Sequence, residues 1–161
     1  MTEKSRQQLL DELDASQREV SQLLESMVHV QDWQREPVEW SFRFLAAHLV
    51  TVERECHFPR VVRIAAGEHP YFDGYSRTDL NLGGHDVRES LAQWEQVRRQ
   101  LIEYVAALPD ERLDLTGVHA DVGDMTVLDA LDEIVAQDQG MARHVQQLII
   151  DFYESLLHPV N

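Results

Sequence analysis

The sequence predicts an all-α fold, a four-helix bundle with a long loop between its second and third helices. Three observations carry that prediction. Four segments repeat apolar residues at intervals of three and four, the spacing that lines one face of a helix. The stretch 67–84, GEHPYFDGYSRTDLNLGG, concentrates glycine, proline, aspartate and asparagine, and it separates the second segment from the third. No strand-like alternation, internal repeat or low-complexity run is present. At 161 residues the chain has the length of one domain, taken as 1–161.

The first helix is expected over about residues 5–28. Leu9, Leu10, Leu13, Val20, Leu23, Leu24, Met27 and Val28 form its apolar face, and Thr2 or Ser5 supplies the cap. Pro37 blocks extension, and Ser41 caps a second helix over about 41–66. Phe44, Leu45, Leu49, Val52, Cys56 and Val62 face inward there. Pro59 should kink or divide that helix, and Gly67 should end it. A third helix is expected over about 85–108, with Val87, Leu91, Trp94, Val97, Leu101, Ile102 and Val105 inward. Residues 109–125 read as a connector whose turns are marked by Gly117, Gly123 and Asp124. Thr126 caps the fourth helix, or Asp124 if it starts earlier, and the helix runs to about Leu157, before Pro159.

Composition narrows the function. Hydrophobic residues make up 43% and charged residues 27%, a soluble globular balance. Charged residues interrupt every apolar run before it could span a bilayer, so no membrane role is expected. The N-terminal MTEKSRQQLLDELDAS has no signal-peptide core, and the lone Cys56 has no intrachain partner; both point to the cytoplasm. Net charge is −15, from 29 acidic and 14 basic residues, without a basic cluster to offset it. Such a surface repels phosphate backbones, which argues against direct nucleic-acid binding.

The candidate site lies where polar residues interrupt apolar faces. Asp138 falls inside the stripe of the fourth helix formed by Val127, Leu128, Leu131, Ile134, Val135, Met141, Val145 and Leu148. Folding alone would not choose that placement, because burying an unpaired carboxylate costs several kcal/mol. Gln137, Met141 and His144 stand at i, i+4 and i+7 on one helical face. His48 lies among Phe44, Leu45, Leu49 and Val52 on the inward side of the second helix. Asp138 is expected to orient His48 or to accept a hydrogen bond from a Tyr or Trp; the alternative is an ion pair with Arg143 or Arg99. His119 stands in the last connector, positioned to close over a pocket at the bundle end. His29, His57, His69, His85 and His158 fall in loops or near helix ends, where solvated rings are the default. Cys56 and His57 are adjacent, and adjacent helical residues point apart, so a thiol–imidazole pair is not expected. No HExxH, CxxC, GxGxxG, P-loop or Gly-x-Ser-x-Gly pattern is present.

Four pieces in order resemble the DinB/YfiT-like family of bacterial helical bundles. Trp40-Ser41, then Ala47-His48-Leu49 and Glu53, resemble that family's second helix. Gly67-Glu68-His69-Pro70 resembles its following loop. His119, Gly123 and Met125-Thr126-Val127-Leu128 resemble its approach to the last helix. No piece is specific alone, but the ordered set covers nearly the whole chain. The resemblance implies an up-down-down-up topology, homodimers, a stress-associated, damage-inducible setting, and metal-dependent hydrolase or thiol S-transferase chemistry. It also implies a metal held by one His of the second helix and an H-x-x-x-H pair on the last. His48 matches the first ligand, whereas Gln137 and Met141 fall where the pair belongs. Asp138 matches the family's Asp, and His144 stands where Gln is usual.

Amide oxygen and thioether are poor ligands for zinc or nickel. The expectation is therefore a bundle with a degenerate metal site and no cofactor, non-catalytic or ligand-binding, taking a small molecule or a thiol. The alternative is a metal-dependent thiol S-transferase or hydrolase whose site has moved to His48 with His144, or to include His119, and which holds zinc, nickel or copper. A third reading is a structural, dimerising bundle in which His48 and Asp138 form a buried pair.

Overall fold

Capping side chains set the limits of the helices. The computed structural model describes residues 1–73 and 84–158. Ser5 accepts a hydrogen bond from the Gln8 backbone and opens α1, Arg6–Glu25. Ser41 does the same for α2, Phe42–Val52, through the Phe44 backbone. A π turn over Glu53–His57 joins α2 to α3, Phe58–Ala65. Gly67 follows with φ +82°, the left-handed conformation that terminates helices and that glycine adopts without strain. Asp86 caps α4, Val87–Ala106. Thr126 and Asp129 form a reciprocal capping box at the start of α5, Val127–Leu157. With α2 and α3 as one interrupted rod, four helical rods result, as the periodicity predicts.

Pro59 does divide the second rod, by a specific device. Proline has no N–H to donate to the carbonyl four residues back, and its ring crowds that carbonyl. The turn just before it is widened, so that the Phe58 N–H bonds to the Glu53 carbonyl, five residues back.

The last connector holds more order than its turn residues suggest. Three short strands form a sheet in the order β1-β2-β3. Tyr71–Phe72 (β1) runs parallel to Thr116–His119 (β2), which pairs antiparallel with Gly123–Thr126 (β3). Strands of two to four residues are too short to display alternation in a sequence. Of the predicted loop 67–84, residues 74–83 lie outside the described residues.

Gly117 in β2 is a close-approach position. A Cβ there would meet the Pro70 carbonyl oxygen at 2.9 Å, Phe72 Cε2 at 3.0 Å and Ile64 Cγ1 at 3.2 Å. Gly117→Ala is expected to destabilise the fold by about 1–3 kcal/mol, read as a lower urea midpoint.

The apolar core falls into two clusters. One gathers Leu9, Leu13, Ile64, Leu101, Leu131 and their neighbours; the other gathers Val20, Leu24, Phe42, Leu45, Trp94, Val145 and theirs. Between them every rod contributes buried polar residues: Ser16 and Gln17 from α1, Glu53 from the π turn, Arg98 from α4 and Asp138 from α5. This polar layer is the floor of the candidate site.

Candidate functional site

Arg98 is the centre of the layer, its side chain 1% exposed. Its Nε and Nη2 donate to the two oxygens of Glu53, each at 2.6 Å. Nη1 donates to Asp138 Oδ2 at 2.8 Å and to the Leu13 carbonyl at 2.7 Å, and Nη2 reaches Asp138 Oδ1 at 3.3 Å. All five guanidinium N–H groups are thereby used, the condition under which a buried arginine is tolerated. Burial alone would lower the Arg98 pKa, but its bonds to Glu53 and Asp138 outweigh that and hold it above the usual arginine value. Ser16 Oγ donates to Asp138 Oδ2 at 2.6 Å, and Trp94 Nε1 donates to Glu53 Oε1 at 3.2 Å.

These contacts correct the expected pairing. Asp138 is buried as the stripe implied, but its partners are Arg98 and Ser16, not His48, Arg143 or Arg99. The tryptophan hydrogen bond goes to Glu53 instead. The structural reading of a His48–Asp138 buried pair is overturned by the same contacts.

Above this floor lies a cleft of two adjoining chambers. The deeper, of about 70 Å³, is lined by Glu53, Trp94, Asp138 and Met141. The wider, of about 290 Å³, is lined by Cys56, Arg60, His119, Asp121 and Glu133. His48, Val52, His57 and Gln137 line both. The His48 ring packs on Trp40 with centroids 4.6 Å apart, and burial lowers its pKa. His57 is pushed down to about 4, by burial first and then by the Arg60 and Arg98 cations, against the opposing pull of Asp138 and Gln137. Both rings are therefore neutral at pH 7. His119, buried at the end of β2, accepts from the Asp121 backbone N–H at 3.1 Å through Nδ1. Burial pushes the Cys56 thiol up, with Arg60 opposing, so it is not an activated nucleophile.

Of the residues singled out in the sequence, the fold brings together His48, Gln137, Asp138, Met141 and His119. His144 lines neither chamber. It is exposed on α5, two turns and about 10 Å along the axis from Gln137, on the side that faces Glu39. Arg60, Glu133 and Arg98 escaped the sequence reading; Cys56 and Glu53 entered it only as an inward-facing residue and as part of the family resemblance, and His57 lines the cleft where a solvated ring is expected. On an uninterrupted α-helix His57, nine residues after His48, would face the opposite way at about 100° per residue; the π turn swings it back toward the cleft.

Of the α5 side chains that line the deeper chamber with His48, Gln137 and Met141 offer an amide and a thioether, poor ligands for zinc or nickel, and the Asp138 carboxylate is taken up by Arg98 and Ser16. Among the described residues no three His, Cys, Asp or Glu side chains are grouped to hold one ion. The cleft presents imidazoles, an amide, one guanidinium, the Asp121 and Glu133 carboxylates and apolar walls, which suits hydrogen bonding to an organic molecule.

Fold and cleft together define an interrupted helical bundle with an interhelical pocket. The chain belongs to the DinB superfamily, whose family model matches residues 12–148. Its fold is similar to that of YfiT from Bacillus subtilis, described as a probable metal-dependent hydrolase with an unusual four-helix bundle topology. The TM-score is 0.76 at 19% identity, covering 92% of this chain and 87% of that one. No curated protein sequence matches the chain significantly. Among the described residues no helix is long and apolar enough to cross a membrane.

Proposed function

We propose that this protein binds a small organic molecule in the histidine-lined cleft and holds no resident catalytic metal. The observation that carries the reading is the pair Gln137 and Met141, which occupy the α5 wall opposite His48 where a metal would need imidazoles. Met141 fills that space as a flexible apolar contact. His48 and His57, uncharged at neutral pH, each offer one donor and one acceptor to the ligand. A low-molecular-weight thiol is the ligand class that the superfamily brings to mind, and a homodimer in a stress-associated setting is the matching assembly.

The second reading is a metal-dependent thiol S-transferase or hydrolase with a relocated site. It draws on His48, His57 and His119, which line one chamber. Elemental analysis of untagged protein, before and after incubation with zinc, nickel and copper, separates the two. The first reading expects metal far below one equivalent throughout. Near-stoichiometric metal that disappears in His48→Ala would overturn it.

A further inference from the structure

The cation of the wider chamber is less well satisfied than its burial demands. Arg60 has a side chain only 9% exposed, yet among the described residues its interactions are few. Nη2 donates one long hydrogen bond, 3.4 Å, to the Asp73 carbonyl. Nη1 lies 4.0 Å from Glu133 Oε2, at the limit of an ion pair. The guanidinium stacks on the Phe72 ring at 4.7 Å, which fixes its plane. Arg98 nearby shows the contrast, with every N–H engaged. A buried guanidinium normally has its fork filled, since unmet donors to a charged group are costly.

We propose that Arg60 is the recognition residue for a ligand carboxylate, received by the free edge of its fork inside the cleft. This deepens the organic-ligand reading and rests on it. A planar carboxylate matches two parallel N–H donors. Its single charge also suits the chamber, because Glu133 and Asp121 line the same space and would repel a phosphate dianion more strongly. Glu133 is held partly aside by Gln137, whose Nε2 donates to Glu133 Oε1 at 3.3 Å, and so does not close on Arg60. With the carboxylate on Arg60, the rest of a small ligand extends past His48 and His57 toward Trp94 and Met141 in the deeper chamber.

The test uses butyrate and its neutral isostere butyramide, titrated into the full chain and followed by NMR at the Trp94 indole and Arg60 Nε–H resonances. Butyrate is expected to bind at least about tenfold more tightly than butyramide. That preference should vanish in Arg60→Gln and persist in part in Arg60→Lys. Glu133→Gln, which keeps the guanidinium and removes its competitor, should strengthen butyrate binding by about two- to fivefold. Equal binding of acid and amide, or an Arg60→Gln variant that keeps the preference, would overturn the carboxylate assignment and leave the organic pocket standing. Binding of neither probe would overturn the assignment and the pocket together. Recovered metal with the butyrate preference intact would remove only the metal-free reading.

Discussion

Arg98→Leu is expected to lose about 3–5 kcal/mol of stability, the largest effect of any single change at the polar layer. The substitution leaves the Glu53 and Asp138 carboxylates buried, with their shared cation gone. Glu53 would keep only the Trp94 N–H, and Asp138 only the Ser16 hydroxyl. Urea unfolding should show the loss as a lower midpoint with little change in slope. The triple variant Arg98→Met, Glu53→Leu, Asp138→Leu removes all three charges and should recover most of it. Recovery stops short of the wild type, because Trp94 Nε1 would then be a buried donor without an acceptor, a cost of about 1–3 kcal/mol. A single Arg98→Leu change without measurable loss would mean that the layer is solvated rather than sealed.

The second large effect is a pH dependence traceable to His57. Its folded pKa of about 4 lies below the ordinary value of 6.5, so the unfolded chain binds the proton more readily. The neutral ring's contribution is therefore fully present above pH 6.5 and is lost as pH falls toward 4. The shift corresponds to about 2–3 kcal/mol between pH 7 and pH 4. Carboxylates with lowered values, Asp129 among them, also lose their contribution on acidification, at lower pH. Comparing wild type with His57→Gln isolates the imidazole: the variant should lose about 2–3 kcal/mol less over that range. Parallel stability–pH curves for the two proteins would overturn the assignment. The same protonation would place a cation beside Arg60 in the wider chamber, so ligand affinity should change over the same interval.

The helices were legible because their signals are local. Ser5, Ser41 and Thr126 cap where a short polar side chain precedes an apolar repeat, and Gly67 stops where a left-handed residue is needed. Asp138 was legible as an anomaly, being an acid inside an apolar stripe. Its partner was not. Arg98 sits beside Arg99 in a run that reads as a solvated face, and one of the two is buried while the other is exposed. Glu53 was named in the family resemblance, but nothing in ERECH shows that its partner is Arg98. Only the crossing of α4 over the π turn and α5 shows that these charges meet. The strands were missed because their pairing is nonlocal, joining Tyr71 to Val118 across the loop and α4. His144 was grouped with Gln137 and Met141 from its helical face and from the family resemblance, and it lines neither chamber.

The π turn also bears on how this cleft varies among sequences of different length. It accommodates one residue more than an α-helical turn would, so removing a single codon from the stretch 53–57 would restore an ordinary helix. The rod beyond would keep its angular register with α2, because the π turn already absorbs the extra residue, so Arg60 would stay in the cleft wall while the aim of the side chains within 53–57 would change. Chain length at this one position therefore behaves as a binary trait. Homologous sequences with the extra residue would share this widened turn, while those without it would keep the helical rod and the guanidinium's aim but lose the turn that carries His57. An alignment gap there would mark which sequences carry the widened turn.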